Sequence, residues 1–404
     1  MILKNILTLF AICLSCGAAE VNAIRPKNGI APIGPYSPGV FAGNYLYVSG
    51  QGANRPDGEM AGSFEEQARQ TMQNVKAVVE AAGLTMQNVV YTQVYLDNMA
   101  NFRVMNRVYA EYFHDTPPAR ATLGVAMLPG NTPIEINAVA IRDLSEKKAV
   151  SVKGLSTDEP LSPGILTNDR LFISALRSPA SDPEKEVELA LDSMRSVLEA
   201  AGLKMENVVF VNPYLTGKIP SKIMNNSYAK RFEFGNTPAR ATIKVTSLPE
   251  NAQIEFTGVA VRNIQLRKAI RPKNMPPSPT ASPCVFAGDT LYCSAKSGFV
   301  PGPNGGVFTP AVDLQIRQSM RNLLDNLEEA GLTFENVVST NVYLDDLADF
   351  STINEIYAKY FTGIAPARTT IKQVASVGRS KRADGTYAEL EQVSLVAVQN
   401  KSHQ

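Results

Sequence analysis

The 404-residue chain is 44% hydrophobic and 19% charged, with a formal net charge of +1. That balance suits ordinary soluble domains and offers no basic surface for nucleic acid or an anionic membrane. Its two histidines, His114 and His403, exclude a multi-His metal site and a His-based triad, and zinc would need four soft ligands that the chain lacks once its leader is removed.

The N-terminus reads as a targeting segment. Lys4 precedes an apolar run from Ile6 to Leu14 that is too short to span a bilayer, and Val21-Asn22-Ala23 supplies the small residues of a cleavage site. Residues 1–23 are therefore expected to be a signal peptide and the protein to be exported, periplasmic or secreted. Lipidation at Cys16 is the alternative, although Cys13-Leu14-Ser15 is a poor lipobox.

The first unit, residues 24–143, follows in a regular order. A hairpin is predicted over Val40 to Val48. Ser63 and Glu66 form a capping box opening a helix with apolar residues at Ala68, Met72, Val75, Val79 and Ala82, and Gly83 stops it. A strand from Val89 to Leu96 comes next, then a helix with Phe102, Met105, Tyr109 and Tyr112 on one face. Two last strands run near Arg120–Met127 and Ile134–Ile141. Helices set between strands that hairpins cannot all join imply an α+β unit, a mixed sheet with two helices on one face.

This unit occurs three times. Pro118-Ala119-Arg120 returns as Pro238-Ala239-Arg240 and Pro366-Ala367-Arg368, about 120 residues apart, the scale of one small domain. Glu80 to Leu84 recurs at Glu199 to Leu203, and the pair Asn106 and Tyr109 recurs as Asn225 with Tyr228 and Asn354 with Tyr357. The second unit is taken as 152–266 and the third as 267–404. Each uncovered sheet face then needs a partner, and the sheets of the other two units provide one in cis.

Cys284 and Cys293 flank a hairpin turning at Gly288-Asp289. Counting outward from the turn sets Cys284 against Cys293 at a non-hydrogen-bonded position, close enough for a disulfide in an oxidising compartment; two free buried thiols are the alternative.

The three arginines each head a strand, where a permanently charged fork makes a carboxylate clamp. Taken by themselves, Arg120 and Glu135 are either such a clamp beside an acid or a structural ion pair on neighbouring strands.

Together, Gly34-Pro35-Tyr36-Ser37, Ser49-Gly50-Gln51, Asn106-x-x-Tyr109, Pro118-Ala119-Arg120-Ala121, Leu128-Pro129 and Ile134-Glu135-Ile136 resemble the RidA/YjgF family of enamine/imine deaminases. The resemblance implies three tandem RidA-like (chorismate-mutase-like) domains folded as an intramolecular pseudo-trimer. It implies hydrolysis of 2-imino acids to 2-keto acids and ammonia, with no metal or organic cofactor. Arg120 would hold the substrate carboxylate and Glu135 would position water, while Tyr36, Ser49, Gly50 and Asn106 shape the pocket. Family sites combine residues from two neighbours, so Arg120, Arg240 or Arg368 could serve the Tyr36 cleft.

The later copies depart from the pattern. Tyr36 becomes Leu161 and Ala281, and Gln51 becomes Leu176 and Lys296, while Ser174 and Ser294 keep the serine. The second copy retains Arg240 and Glu255. In the third, an insertion around Gly378 to Ala388 leaves Glu391 or Gln392 at the acidic position. A non-catalytic carboxylate-binding or scaffold protein is the alternative function. An endoribonuclease is weaker, because the near-neutral charge provides no basic stripe.

Overall fold

The computed structural model of the protein describes residues 21–60, 62–153, 159–273, 275–302, 306–374, 379–382 and 385–399. Lys4, the Ile6–Leu14 run and Cys16 lie outside the described residues. Among those described, no helix is long and apolar enough to cross a membrane.

In the first unit, β1 (Val21–Ile24), β2 (Gly39–Ala42), β3 (Tyr45–Gln51), α1 (Phe64–Ala81), β4 (Val89–Leu96), α2 (Phe102–Ala110), β5 (Ala119–Gly124) and β6 (Ile134–Ile141) form a sheet ordered β1-β2-β3-β6-β4-β5. Only β4 and β5 run parallel, joined through α2. The expected capping box starts α1, with Ser63 N–H donating to Glu66 Oε2 at 2.8 Å. Gly83 ends it at φ +76, a conformation other residues rarely adopt. Met72, Val75 and Val79 of α1 pack with Leu46, Val94 and Ile136 of the sheet.

The second unit contains β7 (Lys148–Val150), β8 (Gly164–Leu166), β9 (Arg170–Ile173), α3 (Pro183–Ala200), β10 (Val208–Leu215), α4 (Ser221–Ala229), β11 (Ala239–Arg240), β12 (Ile243–Lys244) and β13 (Ile254–Val261). Its sheet already includes Lys148–Val150, so the unit begins before the expected residue 152. The third contains β14 (Arg267–Ile270), β15 (Cys284–Ala287), β16 (Thr290–Ser297), a small hairpin β17 (Phe299–Val300) and β18 (Val307–Phe308), then α5 (Val312–Glu329), β19 (Val337–Leu344), α6 (Phe350–Tyr357), β20 (Ala367–Lys372) and β21 (Glu391–Val398).

The helix-free sheet faces cover one another. Tyr95, Leu123 and Val125 of the first unit share one apolar cluster with Tyr214, Ile243 and Val245 of the second and Tyr343 and Ile371 of the third. Each such aliphatic side chain contributes about 1.5–3 kcal/mol when fully buried, which is what draws the faces together. Backbone bonds seal the contact. Gly124 N–H donates to Ser247 O at 2.9 Å, Ala126 N–H to Lys372 O at 3.1 Å, and Val374 N–H to Lys244 O at 3.1 Å. The strand expected to reach Met127 stops at Gly124 for this reason: its last residues leave their own sheet to pair with the neighbours.

The hairpin β15–β16 has the register counted from the sequence, Cys284 opposite Cys293, and the two form a disulfide with Cα atoms 4.0 Å apart. It closes a short loop, so Cys284→Ala/Cys293→Ala is expected to lower stability by about 2–3 kcal/mol. A denaturant titration checks this: the midpoint should fall with an unchanged slope.

Candidate active site

Each arginine is delivered to a neighbouring unit by the edge strand that carries it. Arg120 N–H donates to Ser174 Oγ at 2.9 Å, Arg240 N–H to Ser294 Oγ at 2.8 Å, and Arg368 N–H to Ser49 Oγ at 2.8 Å. The three bonds run first to second, second to third and third to first, which closes a ring. Each serine also donates its hydroxyl hydrogen to a carbonyl of its own unit at 2.6 Å, Ser49 to Ser37 O in the first. Ser49, expected to shape the pocket, is thus committed to holding the Arg368 strand.

In the first cleft, Arg368 stands beside Glu135 and Tyr36. Its guanidinium carbon lies 5.2 Å from the Tyr36 ring, 5.6 Å from Phe350 and 5.1 Å from Tyr357. The residue is 4% exposed, and among the described residues it has no ion pair within 4 Å. Glu135 is buried, and this burial pushes its carboxyl up to about 8 against the opposing pull of Arg368. Burial also raises the Tyr36 phenol and lowers the Arg368 guanidinium. Tyr36, Gly50, Gln51, Thr132 and Glu135 line a cavity of about 400 Å³.

Two glycines keep this cleft open. A Cβ at Gly34 would strike the Arg368 guanidinium and one at Gly50 would strike the Glu135 carboxylate. The other copies have Glu159 and Pro279 at the Gly34 place, and Ala175 and Ala295 at the Gly50 place.

The second cleft is filled from within. Glu159, standing where the first copy has Gly34, pairs with Arg120 at 2.7 Å, the Arg120 side chain being 0% exposed and that of Glu159 9%. Arg177 pairs with the same carboxylate and reaches Glu250 at 3.4 Å. Glu255 lies buried nearby with its carboxyl pushed up to about 8, chiefly by burial. Leu161 takes the place of Tyr36.

In the third cleft, Arg240 donates to Asn225 Oδ1 at 2.8 Å and lies 5.1 Å from the Tyr228 ring. Strand register resolves the acidic position: Gln392 faces Tyr343 as Glu135 faces Tyr95 and Glu255 faces Tyr214. Glu391, one residue earlier, points into the core to Ser319, and burial pushes its carboxyl up to about 8.

Arg120 and Glu135 therefore do not form one site, and they are not a neighbouring-strand ion pair either. The edge strand β5 is separated from β6 by β4, and the outer side of β5 is covered by the second unit. Asn106 goes with Arg120, one helical turn before Tyr109, whose ring lies 4.8 Å from the Arg120 guanidinium carbon. Asn354 takes its place in the first cleft, beside Arg368 against Gly34. Sequence reasoning missed Glu159 and Arg177, and it named Asn354 only as a mark of the repeat, without giving it a place in a cleft. For Glu159 a signal existed: the alignment that equates Tyr36 with Leu161 equates Gly34 with Glu159.

Fold and site together define a ring of three α+β units with arginine-headed clefts at the seams. A family model described as Endoribonuclease L-PSP matches residues 26–142, 155–262 and 274–382, so the chain belongs to this family, the RidA/YjgF family its motifs resemble, and carries the family unit three times. It is 42% identical to the 2-iminobutanoate/2-iminopropanoate deaminase of Escherichia coli K12 over 123 residues, 30% of this chain and 96% of that protein. Over 122 residues it is 44% identical to a RutC family protein of Pyrococcus horikoshii, covering 30% and 97%. The solved YjgF gene product of E. coli is 41% identical over 30% of this chain and 99% of its own, with a TM-score of 0.29. E. coli TdcF, solved with bound serine, is 35% identical over 30% and 99%, with a TM-score of 0.30.

Proposed function

We propose that the protein hydrolyses small 2-imino acids to 2-keto acids and ammonia at one cleft, formed by Tyr36 and Glu135 of the first unit with Arg368 of the third. One observation carries this reading: a buried arginine without a counter-ion stands beside a buried carboxyl held near neutrality, and that carboxyl and Tyr36 line an open cavity. The deaminase named among the relatives supports the reaction class.

Arg368 binds the substrate carboxylate and aligns C2 of the iminium with a water held by Glu135. As the water oxygen bonds to C2, Glu135 takes its proton and the C=N electron pair moves to nitrogen. Glu135 then returns the proton to nitrogen; as the C–N bond breaks and ammonia leaves, the hydroxyl oxygen forms the keto C=O and gives its proton to the Glu135 carboxylate, from which the departing ammonia carries it off as ammonium. The iminium carbon is already electrophilic, so positioning and one acid/base group, worth about 10²–10⁴-fold, suffice.

The test is keto-acid release from freshly generated 2-iminobutanoate. The free enzyme's Glu135 must be ionised to act as base, so kcat/KM should rise through about pH 8 and then level. The ratio to Glu135→Gln isolates that ionisation from the substrate's own. A flat ratio removes Glu135 as the base. Small-carboxylate binding with no turnover at any pH would instead support a binding protein.

We also propose export, for which the Cys284–Cys293 disulfide is supporting chemistry. Cleavage after Ala23 would leave Ile24 alone of the β1 strand. An N-terminus at Ile24 on the protein recovered outside the cytoplasm checks this, and uncleaved cytoplasmic protein refutes it.

A further inference from the structure

The third cleft differs from the first in charge. Arg240 and Lys296 both line a cavity of about 410 Å³ together with Thr242, Ser278, Ser294 and Gln392. Gln51, the counterpart of Lys296, is neutral, and Glu135, the counterpart of Gln392, is an acid. Two cations therefore stand where the first cleft has one cation and one carboxyl.

No carboxylate among the described residues pairs with either cation within 4 Å. Gln392 cannot compensate: its amide donates to Thr242 O at 3.0 Å and faces Gln373 Oε1 at 3.3 Å. Lys296 also borders an adjoining cavity that contains Asp325, but Asp325 is paired with Arg321 at 2.8 Å. Glu389, near Ser297, is coupled to Lys244. Arg240 is held by Asn225 through one nitrogen, which leaves its other N–H groups for a ligand. Burial lowers the Lys296 ammonium and the Arg240 guanidinium from their usual ranges, the cost of withdrawing two charges from water without counter-ions.

We propose that this cleft binds a small dicarboxylate, with one carboxylate on the Arg240 fork and the other on the Lys296 ammonium. Ser278, Ser294 and Thr242 border the same space, and the lack of an acid at Gln392 removes both the water-activating group and the repulsion that would reject a second negative charge. The site is a binding site distinct from the first cleft, and it stands whether or not the first cleft turns over imines.

Calorimetric titration of the full chain with succinate and with butyrate tests this. Succinate is expected to bind at least about tenfold more tightly than butyrate, the contribution of one extra charge pair in a partly desolvated site. Lys296→Met should abolish that preference while leaving imine turnover, if present, unchanged; Lys296→Arg should restore it and guards against a folding artefact. Equal affinity for the two acids, or a preference that survives in Lys296→Met, overturns the proposal.

Discussion

Arg368→Ala is expected to lower kcat/KM for 2-imino acids by about 10²–10³-fold, while Arg120→Ala and Arg240→Ala change it by no more than a few-fold. The reason is geometric. Arg368 alone shares a cleft with both Tyr36 and Glu135, and removing a bidentate clamp leaves the substrate carboxylate desolvated and unpaired, a loss of roughly 2–5 kcal/mol. Arg120 is already neutralised by Glu159, so its removal exposes an imbalance in the fold instead. Breaking a buried pair costs about 3–5 kcal/mol, and Arg177, which still pairs with Glu159, holds the effect at the low end. Steady-state kinetics and a thermal melt on the three variants separate the cases. Equal partial losses of activity from all three would mean three working sites and would refute the single-cleft reading.

Gly34→Glu should silence the first cleft by building into it what the second already contains. A side chain at residue 34 grows directly toward the Arg368 guanidinium, and at the matching place Glu159 forms a 2.7 Å ion pair with Arg120. Gly34 has no positive φ among the glycines that require one, so the backbone accepts the change. Turnover is expected to fall by about 10²-fold or more, because substrate must displace a tethered carboxylate whose effective concentration is in the millimolar range or above. The added Cβ obliges the Arg368 guanidinium, the far end of a flexible side chain, to move aside; because that buried cation then gains a carboxylate partner, the melting temperature should hold or rise. Gly34→Gln, of similar bulk without charge, should block less and gain no stability. If Gly34→Glu retains wild-type kinetics, the internal carboxylate is not what closes the second cleft.

Much of the unit was legible in the residues, because its determinants are local. The Ser63–Glu66 capping box, the Gly83 stop and the two-residue turn at Gly288-Asp289 act over a few positions. Counting along a hairpin therefore reached the Cys284–Cys293 pairing correctly. Sequence also carried the triple repeat and the loss of Tyr36 in the later copies, since both are matters of residue identity at matched spacing.

What the tertiary structure decided was which copy's arginine meets which copy's acid. Arg120 and Glu135 are close in sequence, but β4 lies between their strands, and an edge strand is completed by whatever covers its open side. Closure of the ring passes each arginine to the next unit, giving Arg368 to Glu135 across most of the chain length. The same closure turns Glu159 into a counter-ion, and strand register, which an insertion hides from alignment, puts Gln392 rather than Glu391 toward the cleft. Residue identity set the chemistry available at each position; packing of three uncovered sheets set which of those chemistries share a cavity.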